Sequence, residues 1–437
     1  MIPNSNAQKP FIGISARSGN SYPVYREKQS STHEKTWLGA AVWLQARWML
    51  MFFLVLTTAL KAGLSVSQVQ GTGAQGRVVT VGSSSELQRA LREARPGTTI
   101  RILPGEYTGG IYVSNLHGKP DGPIVIEGAD PRNPPVFTGG QTGWQISEGS
   151  HFTLRYLRFR GQKANGVNID DGGTFETPTH HVVLECITVE DVGPQGNFDG
   201  IKLSGITDFQ VRHCRVEGWG GQAIDMVGCH RGTIEDCFFR GKEGFSQNTG
   251  PQAKGGSSDI TIRRCVFLNA GQRAVQLGGS TGLAYFRPKG VPYEARNILV
   301  EDCLFVGGDA AVSFVGVDGA TFRHNTIIRP NLWVMRILQE TREPGFVPCR
   351  GGVFENNLIV FRSSLREVVN VGPATAPETF RFADNWWYCE DRPQASRPRL
   401  PAAETGGVYG QDPRLRQTAE DRWEVVNPAA RKYGARF

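Results

Sequence analysis

One pattern recurs through most of this chain and restricts its fold more than any other feature. In DITIRRCVFL (259–268) apolar residues alternate up to a turn marked by Cys265, and Val266 and Phe267 follow it. The frame returns as HVVLECITV (181–189), DFQVRHCRV (208–216), GTIEDCFF (232–239), ILVEDCLFV (298–306), ATFRHNTII (320–328) and GVFENNLIV (352–360). Reading the turn position down these copies gives Cys186, Cys214, Cys237, Cys265, Cys303, Asn325 and Asn357. A weaker copy precedes them with Tyr156 in that position, and another follows with Asn385. The interval varies over roughly 20 to 40 residues, the range of stacked repeats. Short strands, glycine turns and no helical period between them describe an all-β parallel solenoid. A side chain repeated at the same turn stacks on its copy about 4.8 Å away. Asparagine there hydrogen-bonds turn backbone, and cysteine there behaves as a small buried hydrophobe.

The segments around the repeats follow from composition. Residues 1–47 read as a disordered or over-extended leader. Trp48 to Leu60 is an apolar run flanked by Arg47 and Lys61. It is short for a membrane span of about 20 residues, so residues 48–67 are expected to be a signal segment, with a single-pass anchor as the alternative if it stays uncleaved. Residues 68–76 form a linker, 77–390 the solenoid, and 391–437 an extension covering it. A secreted, periplasmic or cell-surface monomer is the corresponding expectation. The formal charge of +7 belongs mostly to the leader: residues 1–76 hold 7 Lys+Arg against 2 Asp+Glu, leaving 41 against 39 beyond. That balance gives no reason to expect nucleic acid as a partner. Ser83 and Glu86 make a capping box, and Leu87, Ala90, Leu91 and Ala94 one helical face, so a helix over 83–95 is expected to cap the solenoid. The ladder cysteines are expected to be free buried thiols, because parallel stacking sets their Cβ vectors side by side. Cys349 and Cys389 lie outside the ladder and are read either as a disulfide or as unpaired.

The frame, together with VVTVGSSSELQRALREARPGTTIRILPGEY (78–107), resembles the right-handed parallel β-helix proteins of the pectate-lyase-like superfamily over roughly residues 77–390. Within it the chemistry is most similar to polysaccharide lyases of the alginate lyase and chondroitinase B type. The resemblance implies a secreted carbohydrate-active protein acting on an acidic, uronate-containing polysaccharide as a lyase or an epimerase. A non-catalytic polysaccharide-binding or cell-surface β-helix is the alternative.

A third strand per coil carries the candidate site. Its outward positions read Asn168, Lys202, Asp225, Gln252, Gln276, Ser313, Arg336 and Asn370, while Val167, Ile201, Ile224, Val275 and Val312 alternate inward. A column that stays polar over so many coils reads as a groove for several sugars. Asp199, Lys254 and Arg273 lie beside it, and charge converging on adjacent coils is the signature of a site. Such a cluster suits proton abstraction next to a carboxylate, with cations stabilising the enolate-like intermediate. By the resemblance, Lys254 matches the base of those lyases. Arg273 and Lys202 are its electrostatic helpers. Asn168, Asp225, Gln252, Gln276 and Arg336 bind substrate. The family's arginine falls near Leu277 and Gly278 here, and its acidic Ca²⁺ ligands have no match in FSQNTGPQ (245–252). Asp199 and Asp225 remain as a thin ligand set for Ca²⁺.

Overall fold

The computed structural model describes residues 76–419 and 421–436. The leader and signal segment, and all but the last residue of the linker, lie outside them. Three short strands alternate with turns in most coils. Ser257–Arg263, Val266–Leu268 and Arg273–Gly278 make one coil, and Ala295–Glu301 opens the next. Each strand pairs in parallel with its counterpart one coil on, as Ile260 does with Ile298 and Phe267 with Phe305. The first and third strands of the coils merge into a 22-stranded sheet, and the second strands form a 12-stranded one. The alternation seen in the sequence puts one apolar set inside. Phe239, Phe267 and Phe305 stack there with centroids 5.0 and 4.6 Å apart.

The helix spans Ser84–Glu93. Ser83 Oγ accepts from the Glu86 amide at 3.3 Å, and Glu86 accepts from the Gly82 amide at 2.8 Å. Leu87, Ala90 and Leu91 are buried in the same core as the coils. At the other end, Glu404–Thr405 and Val408–Tyr409 still pair with the two sheets. An antiparallel hairpin, Leu415–Ala419 with Arg422–Val425, follows. Ala430 and Tyr433 then pack against Leu358 and Trp386.

The turn ladder is built from Cys214, Cys237, Cys265, Cys303, Asn325, Asn357 and Asn385, all within 2 % of full burial. Each asparagine carbonyl oxygen takes the preceding rung's amide: Cys303 N to Asn325 Oδ1 at 2.9 Å, Asn325 N to Asn357 Oδ1 at 2.9 Å, and Asn357 N to Asn385 Oδ1 at 3.0 Å. Two expected members are one position out. Cys186 and Tyr156 occupy the left-handed residue just before the ladder, with φ of 52° and 57°, and are only half-buried. Ile187 and Leu157 fill the interior slots instead. An apolar residue serves there equally well, because the slot asks first for buried volume. All eight cysteines are free, Cys349 and Cys389 among them.

A second ladder runs outside it. Arg101, Glu127, Arg155, Glu185, Arg212, Glu235, Arg263, Glu301, Arg323 and Glu355 occupy one register position in successive coils, strictly alternating in sign. Contacts include Arg101–Glu127 at 2.7 Å, Arg263–Glu235 at 2.6 Å and Arg323–Glu301 at 2.8 Å. Each partly exposed pair contributes little stability. Their alternation does oppose a one-coil slip, which would set like charges side by side.

Candidate functional site

The third strands hold the candidate site. Register aligns Asn168 with Lys202, Lys202 with Asp225, Asp225 with Gln252, Gln252 with Gln276, and so on through Ser313, Arg336 and Asn370. Lys254 stands two residues beyond Gln252, at the end of strand Thr249–Lys254. Its ammonium therefore reaches back to the preceding coil. Lys254 Nζ lies 2.9 Å from Asp225 Oδ1, while Lys202 Nζ lies 2.7 Å from Asp225 Oδ2 and 3.0 Å from Asp199 Oδ2. Asp199 and Asp225 are fully buried, and Asp199 Oδ1 accepts the Gln222 amide at 2.9 Å.

Burial and charge act against each other in this cluster. Burial raises the Asp199 carboxyl, and the neighbouring Asp225 charge raises it further. Lys202 and the Gln222 amide offset only part of this, leaving Asp199 at about 6. For Asp225 burial is outweighed by Lys254 and Lys202, which hold it below the ordinary carboxylate range. Burial opposes the Lys202 charge, but Asp225 and Asp199 overcome it and keep that ammonium above its usual value.

Calcium does not fit these residues. It takes 6–8 oxygen ligands, and the four carboxylate oxygens of Asp199 and Asp225 already face Lys202, Lys254 or the Gln222 amide. The expected Asp199–Asp225 metal site is a carboxylate–ammonium cluster instead.

Two adjoining clefts replace the expected open groove. The larger, about 750 Å³, has Asn168, Lys202, Asp225 and Lys254 in its lining, together with the exposed rings of Tyr112 and Tyr285. The smaller, about 290 Å³, shares Lys254 with it and adds Gln252, Gln276 and Arg273. Gln252 and Gln276 present only a few per cent of their surface to it, and beyond them Ser313 is fully buried. Gln252 Nε2 donates to the Gly278 carbonyl at 2.9 Å. Arg273 does not join the Lys–Asp–Lys cluster. It donates to Gln276 Oε1 at 2.9 Å and faces Glu340 at 3.8 Å. Arg336 is further along, over the Trp333 ring at 4.3 Å and bonded to Asn370 Oδ1 at 3.0 Å. Asn168 donates to Gln145 Oε1 at 2.5 Å.

Residues 279–294 form much of the larger cleft's border, and sequence reasoning missed them. Arg287 Nη2 donates to Asp171 Oδ1 at 2.9 Å, and Nε to Oδ2 at 2.5 Å. Glycines make room for this. A Cβ on Gly205 would come within 2.1 Å of Asp171 Oδ2, and one on Gly228 within 2.5 Å of Arg287 Cβ. Buried Glu294 accepts from the Gly255 amide at 2.9 Å and the Thr281 amide at 2.8 Å, fixing the chain directly after Lys254. Asp170 and Asp171 line the same cleft. One signal was available: Cys265 and Cys303 are 38 residues apart, whereas Cys303 and Asn325 are 22 apart. The surplus length is this loop.

Residues 142–327 match the family model described as "Right handed beta helix region". That gives the solenoid its hand. Among solved structures the chain is similar to an alginate lyase from Paenibacillus sp. str. FPU-7, at 18% identity and a TM-score of 0.49, covering 76% of this chain and 98% of that one. It is similar to pectate lyase Pel9A at 13% identity and a TM-score of 0.45, covering 70% and 79%. A GH136 lacto-N-biosidase from Eubacterium ramulus shows 14% identity and a TM-score of 0.40, covering 76% and 68%. No curated protein matches the chain.

Proposed function

We propose that this right-handed parallel β-helix, which fits the pectate-lyase-like superfamily, is a carbohydrate-active protein. It takes an acidic, uronate-containing polysaccharide into the cleft above Asp225 and removes the proton beside the sugar carboxylate. The observation that carries this reading is the burial of Asp225 between Lys202 and Lys254 in a walled cleft. A solvated surface ladder needs no such burial, and desolvating three charges costs several kcal/mol per ion. A cleft of this volume is of ligand-binding size.

Lys254 is the base in this reading. It sheds its own proton to solvent as substrate enters, and on taking the sugar's proton it is again the ammonium that Asp225, 2.9 Å away, stabilises. Lys202 and Arg273 supply positive charge toward the sugar carboxylate. Asn168, Gln252, Gln276 and Arg336 meet hydroxyl groups, and Tyr112 and Tyr285 offer flat apolar faces to the rings. The electron pair left by the proton either forms a carbon–carbon double bond and expels the oxygen to the next sugar, which takes up the proton held by Lys254, a lyase reaction, or captures a proton from water on the other face, which is epimerisation. No step passes through calcium. Export belongs to the same reading, resting on Arg47 and the run Trp48–Leu60. Among the described residues no helix is long and apolar enough to cross a membrane.

One observation favours the binding-only alternative. Gln276 occupies the rung after Gln252, and Arg273 turns to Gln276 and Glu340 instead of the cluster. The purified chain is therefore to be screened against uronate polysaccharides, following the absorbance of the unsaturated product, epimer content and binding together. Lys254→Ala and Lys254→Arg are expected to abolish turnover while leaving binding within a few fold. Unchanged turnover in both variants removes Lys254 as base. Binding of a polysaccharide that the wild-type chain never turns over establishes the alternative.

A further inference from the structure

We propose that His151, His180 and His181 form a site for a borderline divalent transition-metal ion, zinc foremost. The site stands apart from the proposed carbohydrate chemistry and does not rest on it. His151 and His181 occupy equivalent positions in consecutive coils, flanked by the pairs His180–Ser150 and Val182–Phe152. Both are left-handed, with φ of 50° and 54°, which sets their rings side by side with centroids 4.3 Å apart. His180 meets the pair nearly edge-on, 5.2 Å from His151 and 5.0 Å from His181. Its Nδ1 lies 2.8 Å from His181 Nδ1. One ligand nitrogen from each of the three lies within 4.8 Å of the others.

The same left-handed position in the next coils is filled differently. Asp208 and Arg231 hold it with a two-point ion pair, both contacts at 2.8 Å. Among the described residues of this column, only His151 and His181 place like ionisable groups together.

Donor chemistry selects the ion. An all-imidazole set suits zinc, copper or nickel, and not calcium or magnesium, which require oxygen. Zinc takes nitrogen at about 2.0–2.1 Å in a tetrahedron, completed here by water. That geometry needs nitrogens roughly 3.3 Å apart. The His180–His181 Nδ1 separation is 2.8 Å and the three ligand nitrogens lie within 4.8 Å, so small ring rotations reach this value, and exposed His181 has the freedom to turn inward.

The test uses the tag-free full chain, dialysed against chelator and titrated calorimetrically with zinc chloride. One-to-one binding is expected. His180→Ala is expected to weaken it at least tenfold, and the His151→Ala/His181→Ala pair to abolish it. His213→Ala, outside the cluster, is expected to leave it unchanged. Circular dichroism checks that the variants fold, which their partly exposed positions favour. Cobalt chloride gives an independent readout, since a tetrahedral site should produce intense visible absorption that the double variant lacks. Absence of one-to-one zinc binding, or binding unmoved by these histidine changes, overturns the site. The 2.8 Å contact would then be a plain imidazole–imidazole hydrogen bond.

Discussion

Asp225→Asn isolates the charge at the centre of the cleft with almost no change of shape. Asp225 is 0 % exposed, and its two lysine partners keep only 25% and 13% of their side-chain surface. At an effective dielectric of about 20, each ion pair near 2.8 Å is worth roughly 6 kcal/mol before desolvation. Desolvation cancels most of that in the intact cluster. Removing the carboxylate leaves the desolvation cost of two facing ammoniums without its compensation, and breaking such a pair costs about 3–5 kcal/mol. We expect a loss in this range by urea denaturation followed by circular dichroism and tryptophan fluorescence. Coils can unfold in steps, so the transition containing residues 199–254 is the one to read. Asp208→Asn provides the contrast: its pair with Arg231 is 33% and 59% exposed and should be worth below about 1 kcal/mol. Adding Lys254→Met to Asp225→Asn should recover about 1–3 kcal/mol, because the uncompensated ammonium is gone. If Asp225→Asn costs no more than Asp208→Asn, the cluster is solvated and the argument from burial fails.

Three further outcomes follow from the same physics. The Asp199 carboxyl is raised from 3.8 to about 6, so the folded state holds this proton more tightly than the unfolded chain. Its stabilising contribution is present below the ordinary value and is lost as pH rises through about 6. Wild type should therefore lose ground to Asp199→Asn between about pH 4 and about pH 7.5, by roughly 3 kcal/mol at most; a pH-independent difference in denaturation midpoints refutes this. Asn357→Ala removes bonds to the Phe322 carbonyl at 3.1 Å, to Asn385 Oδ1 at 3.0 Å and from the Asn325 amide at 2.9 Å, a loss of about 3 kcal/mol or more by denaturant titration. Asn357→Cys, which copies the earlier rungs, should be milder by about 1 kcal/mol. Arg263→Glu sets glutamates on three consecutive rungs with Glu235 and Glu301; it should cost about 1 kcal/mol, and the cost should shrink in 1 M salt if it is repulsion.

The solenoid was legible because its physics repeats. An inward apolar residue at every second position is an order that register must preserve, so the polar column from Asn168 to Asn370 could be aligned by its inward neighbours alone. Cys186 and Tyr156 were misplaced for a related reason. The turn contains two adjacent positions, one left-handed and mostly half-buried, one fully buried. A cysteine satisfies either, and only the apolar Ile187 and Leu157 beside them mark which slot is inside. The alternating charge ladder was equally present in the sequence, one residue before the left-handed position. Single surface charges carry little energy, whereas their order down the coils carries register.

The site was legible only where it is made by strands. Lys202, Asp225 and Lys254 come together through register, and register follows from the frame. Arg273 lies near them along the chain, but it opens its own strand, and Gln276 in that strand and Glu340 just beyond Leu338 hold its guanidinium. The border of the cleft was hidden for a different reason. Arg287 reaches Asp171 across 116 residues, through a loop whose path no periodicity encodes. What sequence does carry is the room left for that loop: Gly205 and Gly228 lie under Arg287, where any side chain would collide with the Asp171–Arg287 pair or with Arg287 itself. In a solenoid, the coils set where charged groups can meet, and the bare turns beside an overlong coil mark where a wall is built over them.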